Sequence, residues 1–404
     1  MEQAATPKKM PFSIRLKGDK VLWRLVLVFA LLSLVFVYSS SSRMAFLKHT
    51  TTFLLMLKQM RFIILGLVAI YVCHLIPLGW YRKLAYIAFF LCMGLLYLTL
   101  FTGETRNEGT RWLNIMGFSF QTSEFAKVAL VLFVAKVLED NSFVSFKEFL
   151  LKFFLPVLVY ILPIILEGFS SGSMLVITVF LMLLISQVPI KHVLLTAGIC
   201  VVMVGLLFAA NEITKALFKD KDNNPYTIGR VETVLTRIKN FTKEDANKEE
   251  NEQVVNSKIA IASGGVIGKF PGNGTQRYVL PLSHSDYIYS IIVEETGLVG
   301  AVVVILLYLW ILYRVVLIAR ACSRTFSSML VSGLGILILM QAMIHILVNV
   351  GLFPVTGQNL PLISLGGSSF LAMSISFGLM LSVSRTLEND TLYKLEEQNE
   401  PETH

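Results

Sequence analysis

Charge is scarce in this sequence: Asp, Glu, Lys and Arg make up 15% of 404 residues against 55% hydrophobic, and mean hydropathy is +0.68. A chain this long with so little charge is not a set of two or three soluble domains. Cysteine is also thin. Cys73, Cys92, Cys200 and Cys322 lie in or beside apolar runs with no C-x-x-C or metal-type spacing, so each reads as a small buried hydrophobe. No cleavable leader is expected either. The first apolar run is long and follows a polar tail, which fits an uncleaved first helix.

What the chain does have is a recurrence of apolar runs of about 18 residues or more, long enough at 1.5 Å per residue to cross a hydrocarbon core of about 30 Å. The expected fold is therefore an all-α polytopic membrane protein with about ten transmembrane helices, near 21–38, 62–78, 84–101, 124–138, 151–167, 172–188, 192–210, 290–313, 328–350 and 369–384. The fourth is short and carries Lys127 and Lys136, so it is expected to be tilted or partly re-entrant. The resulting plan is a basic cytoplasmic tail (1–20), spans one to seven (21–210), a large extracytoplasmic loop (211–289), spans eight to ten (290–385) and a cytoplasmic tail (386–404).

The net charge of +8 is read by location, as a topology signal and not as a nucleic-acid footprint. With the N-terminus inside, the inner segments hold Arg82, Lys83, Lys147, Lys152, Lys191, Arg314, Arg320, Arg324 and Arg385. The short outer loops hold only Arg106 and Arg111. The connection at 39–61, with Arg43, Lys48, Lys58 and Arg61, runs against the trend and is outvoted. Both termini are expected inside. In the large outer loop the stretch 239–252 is charged and reads as mobile. An amphipathic piece over 254–262 then leads into Gly264, Gly265, Gly268, Gly272 and Gly274, which permit close backbone approach to a ligand or serve an ordinary loop.

Three outer segments carry the chemistry. In GTRWLNIMGFSFQTSEFAKVAL (109–130), Glu124 and Lys127 share a helix face at i, i+3 and either neutralise each other or leave Lys127, with Arg111, to hold an anionic headgroup. In YVLPLSHSDYIYSIIVEE (278–295), Asp286, His284, Glu294 and Glu295 crowd a membrane boundary, where ionisable groups are functional candidates. Ser283-x-x-Asp286 also matches a capping box. In NVGLFPVTGQNLPLISLGGSSFLAMS (349–374), the irregular backbone between two apolar spans must be buried in protein or line a wet cavity. There Ser364, Gly366, Gly367 and Ser368 either offer N–H donors to an anion or simply start a helix. All three lie on one side of the membrane by the topology above, which makes them one site open to the outside, with Asp286 as the base candidate.

Taken together, GTRWLNIMGFSFQTSEFAK, IAIASGGVIGK…LPLSHSDYIYSIIVEETGLVGA and GLFPVTGQNLPLISLGGSS resemble the SEDS family (FtsW, RodA, SpoVE) over about residues 20–385. The third motif is nearer to the division-type members than to the elongation-type. The resemblance implies a peptidoglycan glycosyltransferase that polymerises lipid II on the outer face of the cytoplasmic membrane. The family's catalytic aspartate falls on Asp286, within Leu280–Tyr287. Its S-E-[FL]-A-K motif falls on Ser123–Lys127 and its R-W on Arg111 and Trp112. Arg111, Glu124, Lys127, Gln276, Arg277, His284, Ser364, Gly366, Gly367 and Ser368 are the expected substrate-binding set. Departures are Phe169-Ser170-Ser171-Gly172-Ser173 in place of P-D-x-G-T, Phe270, Gly274, His345 and Leu365.

In the implied reaction Asp286 takes a proton from the attacking sugar hydroxyl as general base, and partial desolvation at the helix mouth strengthens it. No organic cofactor is expected. A divalent cation, Mg2+ or Mn2+, with Asp286 as a possible ligand, would help stabilise the leaving diphosphate. The expected partners are lipid II, a class B penicillin-binding protein and other divisome proteins, at the septum. The alternatives are a lipid II flippase, a non-catalytic division scaffold or an elongation-type role.

Overall fold

The computed structural model describes residues 17–102, 104–106, 109–115, 118–217 and 248–399. Most of the basic tail, the centre of the large loop and the last residues lie outside these, as do residues 239–247 of the stretch read as mobile.

Each of the ten apolar stretches is helical. The principal helices are α1 (Lys20–Ser40), α3 (Thr52–Leu75), α4 (Leu78–Thr102), α5 (Thr122–Asp140), α6 (Phe146–Glu167), α7 (Phe169–Ile185), α8 (Ile190–Leu217), α10 (Ile288–Ala321), α11 (Thr325–Asn349) and α12 (Gly367–Asn399). Two more lie outside the bundle proper: short α2 (Ser42–Leu47) and the polar α9 (Lys248–Gly264), which takes in the amphipathic piece and residues 248–252. Seven are long and apolar enough to cross a membrane: α1, α3, α4, α6, α10, α11 and the Gly367–Glu388 part of α12. Their outer faces expose rows such as Ile64, Leu65 and Val68 on α3 and Leu306, Leu309 and Trp310 on α10. Apolar surface on this scale is stable only against lipid. The chain is a multi-pass membrane protein.

Local chemistry sets the helix ends. Asp19 caps α1, accepting from the N–H groups of Val21 and Leu22 at 2.9 Å each. The same carboxylate accepts from Arg314 Nε at 2.9 Å, which binds the start of α1 to the C-terminal part of α10. In α6 the turn before Pro156 widens to a π turn over Leu150–Phe154, because proline offers no N–H to the carbonyl four residues back. Close helix pairs meet at glycines. A Cβ on Gly66 of α3 would stand 2.5 Å from Phe370 and Ser374 of α12, and one on Gly378 would stand 2.6 Å from Cys73. Small residues let helix backbones approach where no hydrophobic force drives them together.

One expectation needs correction. The fold is not wholly α: β1 (Glu104–Arg106), β2 (Gly109–Ile115) and β3 (Phe118–Gln121) form an antiparallel sheet in that order, with Trp112 opposite Gln121. Alternation in Thr110–Ile115 and Phe118–Gln121 is the period-2 signal of a strand, short enough to be hidden beside long apolar runs. The fourth apolar stretch, expected to be tilted or partly re-entrant, forms α5. It is a continuous helix with 15 of its 19 residues buried, a central strut. Its charges sit at its two ends: Glu124 and Lys127 at one, Lys136, Glu139 and Asp140 at the other.

Candidate active site

The loop that bears Asp286 is held by its backbone. Leu282 takes φ +56, and its carbonyl accepts from the N–H groups of Ser285 and Asp286 at 3.0 Å each and of Tyr287 at 3.3 Å. Ser283 donates to Ser40 O on α1 at 2.8 Å, so it makes no capping box with Asp286. The cap of α10 comes from the far end of α11. Asn349 Oδ1 accepts from Ser290 N–H and Oγ at 3.0 and 2.9 Å, and its Nδ2 donates to Asp286 O and His345 O at 3.0 and 2.8 Å. That fixes the backbone of Asp286 while its carboxylate stays half-buried, turned toward the 349–366 segment. A Cβ built on Gly357 would stand 3.6 Å from Asp286 Oδ2.

The second and third motifs are stapled together. Leu365 N–H donates to His284 O at 2.9 Å, and Ser364 Oγ donates to Ser285 O at 2.8 Å while accepting from Leu360 N–H at 2.8 Å. Four polar side chains from three helices then satisfy the carbonyls of this irregular segment. His345 meets Gln358 O at 2.7 Å, Gln341 donates to Asn359 O at 3.0 Å, Tyr308 to Pro361 O at 2.6 Å and Ser33 to Ile363 O at 2.9 Å. All four are buried. Hydrocarbon would leave those carbonyls unpaired at a cost of several kcal/mol each, roughly.

The first motif joins through Ser368, whose hydroxyl accepts from Gln121 N–H at 3.1 Å. Gly366 and Gly367 start α12 in close contact, their Cβ positions 2.7 Å from Asn359 Nδ2 and 2.5 Å from the ring of Phe62. Glu124 and Lys127 form a buried ion pair at 2.8 Å, and Lys127 also donates to Gln341 at 3.3 Å. The self-neutralising arrangement is the one adopted, and it reaches Asn359 O through Gln341. Because breaking a buried pair strands a charge, Lys127→Met is expected to destabilise the protein by about 3 kcal/mol. Adding Glu124→Leu should return most of that, as read by thermal unfolding of the purified protein. Arg111 lies on β2, and its side chain is outside the described ones.

The glycine-rich segment packs against α10 itself. Gly297 breaks that helix at φ +68, and Lys269 and Phe270 N–H donate to Glu294 O and Glu295 O at 3.0 and 2.8 Å. A Cβ on Gly268 (φ +87) would sit 2.3 Å from Glu295 O. Glu294 and Glu295, both buried, clasp the same segment. Glu294 accepts from Lys269 Nζ and Thr275 N–H at 2.8 Å and from Gln276 N–H at 3.1 Å; Glu295 accepts from Gly272 N–H at 3.1 Å and from the hydroxyl of Ser39. Gln276 is thereby anchored through its backbone. Arg277 lies over the ring of Tyr278 and donates to Ser39 Oγ at 3.3 Å.

His284 is buried, and that burial, with the positive charge of Lys48, pushes its pKa down to about 4. Its folded pKa lies below the ordinary value near 6.5, so the stabilisation is present at neutral pH and is lost as pH falls from about 6.5 toward 4. The melting temperature is expected to drop between pH 7 and 5, and His284→Asn to flatten that slope.

Among the described residues no group of three or more His, Cys, Asp and Glu stands together. Among the described residues, a divalent ion at Asp286 would have to take its remaining ligands from water and substrate phosphate, as Mg2+ commonly does.

With this geometry in view, the sequence profile of the FtsW/RodA/SpoVE family, described as a cell cycle protein, matches residues 19–389. The chain belongs to that family. Among the relatives of this FtsW/RodA/SpoVE member is a probable peptidoglycan glycosyltransferase FtsW of Hydrogenovibrio crunogenus, 35% identical over 81% of each chain. Stage V sporulation protein E of Bacillus subtilis is 29% identical over 91% of this chain and 97% of its own. Two solved structures share the fold at 24% identity. One, from a study of polymerization and crosslinking by a peptidoglycan synthase complex, has a TM-score of 0.74 over 92% of this chain and 98% of the other. The other is the rod shape determining protein RodA of Thermus thermophilus, at 0.65 over 93% and 98%. The three segments stapled together here, around Asp286, Gln121–Lys127 and Gly357–Ser368, all fall within the matched range.

Sequence reasoning did not find Asn349 and Gln341, and it marked Glu294 and Glu295 as candidates without their role as a clasp on the glycine-rich segment. Only the carboxylates left a signal, as two acids at the head of an apolar span.

Proposed function

We propose that this chain is a peptidoglycan glycosyltransferase that polymerises lipid II at the outer face of the cytoplasmic membrane, with Asp286 as general base. The observation that carries this reading is the stapling of the Asp286 loop to the 358–365 segment by Leu365 and Ser364, with the carboxylate turned toward Gly357. A hydroxyl of the acceptor sugar loses its proton to Asp286 as its oxygen bonds to the anomeric carbon of the donor, and the bond to the lipid diphosphate breaks with the electron pair leaving on the diphosphate. One base and one displacement give inversion at that carbon. Arg111 is the cation assigned to the departing diphosphate, while Lys127 acts from behind, through Gln341 and Asn359. A divalent ion held by Asp286 and the phosphates would supply charge neutralisation there.

Ten spans with both termini inside put the three motifs on the outer face. The Asp19–Arg314 pair supports that arrangement, since it sets the start of α1 and the end of α10 at one membrane boundary. The family's cell-cycle description and its FtsW relatives favour a role at the septum, with other divisome proteins. The synthase complex among the similar structures favours a class B penicillin-binding protein as partner.

The test is incubation of the purified full chain with lipid II, with and without that partner and Mg2+, followed by separation of the products by length. Glycan strands are expected. No strands under any condition, together with movement of labelled lipid II across vesicles that carry the protein, would replace this reading with transport.

A further inference from the structure

At the opposite end of the same helices lies a cavity of about 540 Å³, between the end of α3, the start of α4, the turn from α10 to α11, and α12. Its polar lining includes Arg324 and Arg385, and among the described residues no carboxylate lines it. Glu388, just beyond, is engaged by the N–H of Gly18. Arg385 is set in place by donating through Nη2 to Leu75 O at 3.1 Å and Ile76 O at 3.4 Å, while its buried Nε meets no partner among the described residues. Arg324 stands at the N-cap of α11, whose first turn receives no side-chain cap, so those backbone N–H groups add positive potential beside the guanidinium. Ser323, Ser327 and Thr386 add hydroxyls. The remaining wall is apolar, with Leu78, Val383 and Leu387.

We propose that this cavity binds the phosphate group of an anionic phospholipid headgroup. Guanidinium groups, hydroxyls and an uncapped helix start together recognise a phosphate. The apolar wall and the position at the ends of membrane spans point to a lipid as its source, since a headgroup enters from the bilayer with glycerol and acyl carbons attached. This inference is independent of the transferase chemistry, which sits at the other end of α10, α11 and α12.

The experiment measures binding of short-chain phosphatidylglycerol, phosphatidylcholine and inorganic phosphate to the purified full chain by native mass spectrometry and thermal shift. Wild type is expected to retain phosphatidylglycerol and to be stabilised by it more than by phosphatidylcholine. Arg324→Gln removes an exposed charged donor with no side-chain hydrogen bond to another described residue and should weaken retention by roughly tenfold. Gly79→Leu is the second variant. A Cβ there meets open space, so the side chain should fill the cavity and abolish retention with the melting temperature of the lipid-free protein unchanged. Lys147→Gln, an exposed cation elsewhere, should behave as wild type. Equal retention of both lipids, or unaltered phosphatidylglycerol binding in the Arg324 and Gly79 variants, would overturn the proposal. Inorganic phosphate that stabilises wild type but not the variants, with no lipid retained, would uphold phosphate recognition and overturn the lipid as its source.

Discussion

Asp286→Asn is expected to lower the initial rate of glycan-strand formation by about a thousandfold, within the range a positioned general base contributes. It should melt within a few degrees of wild type. The two halves of that expectation come from different atoms. The backbone carbonyl of Asp286 accepts from Asn349, and its N–H donates to Leu282 O at 3.0 Å, so the amide variant keeps both anchors of the loop. The first turn of α10 takes its cap from Asn349, so capping that terminus does not call on the carboxylate. What the amide loses is the ability to accept a proton. Polymerisation is measured with partner and Mg2+ in excess, so that neither limits the rate. A variant within tenfold of wild type would remove Asp286 as the base and leave it a loop residue.

How much of this was legible beforehand divides along physical lines. Long apolar runs read directly as helices, because hydrocarbon permits no other way to satisfy their backbone. The same rule applied to 349–366 required an irregular segment buried in protein, and its carbonyls are met by Ser33, Tyr308, Gln341 and His345. Which side chains would do so was illegible. Ser33 is 330 residues from its acceptor, and a polar residue inside an apolar span carries no mark of its partner. The Ser283-x-x-Asp286 spacing misled for the converse reason: it satisfies a local rule, yet Ser283 is taken by α1 and the cap by Asn349. Lys127 and Glu124 lowered the apparent apolarity of α5 although they neutralise each other inside it. The three motifs were each visible, and their topology put them on one face. Their junction at Ser364, Leu365 and Ser368 needed coordinates.

Asn349→Ala is expected to be the most damaging substitution outside the carboxylate itself. Asn349 is fully buried, and both ends of its amide are used twice: Oδ1 by the N–H and hydroxyl of Ser290, Nδ2 by the carbonyls of Asp286 and His345. Alanine leaves a buried N–H and a buried carbonyl without partners, a loss of about 3 kcal/mol or more in stability. It also frees the backbone of Asp286, and misplacement of a reacting group by about 1 Å costs on the order of a hundredfold in rate. Ser290→Ala separates the two effects. Its hydroxyl lies as close to Tyr287 O, at 2.8 Å, as to Asn349, so its removal should cost about 1 kcal/mol and leave the Asp286 loop in place. Thermal unfolding and polymerisation rate are measured on both variants and on the double variant. If Asn349 acts by holding Asp286, its variant loses rate well beyond what its fraction unfolded explains, while Ser290→Ala loses stability alone. If both variants lose activity only in proportion to unfolding, Asn349 is a helix cap and the Asp286 loop is positioned by Ser364 and Leu365 instead.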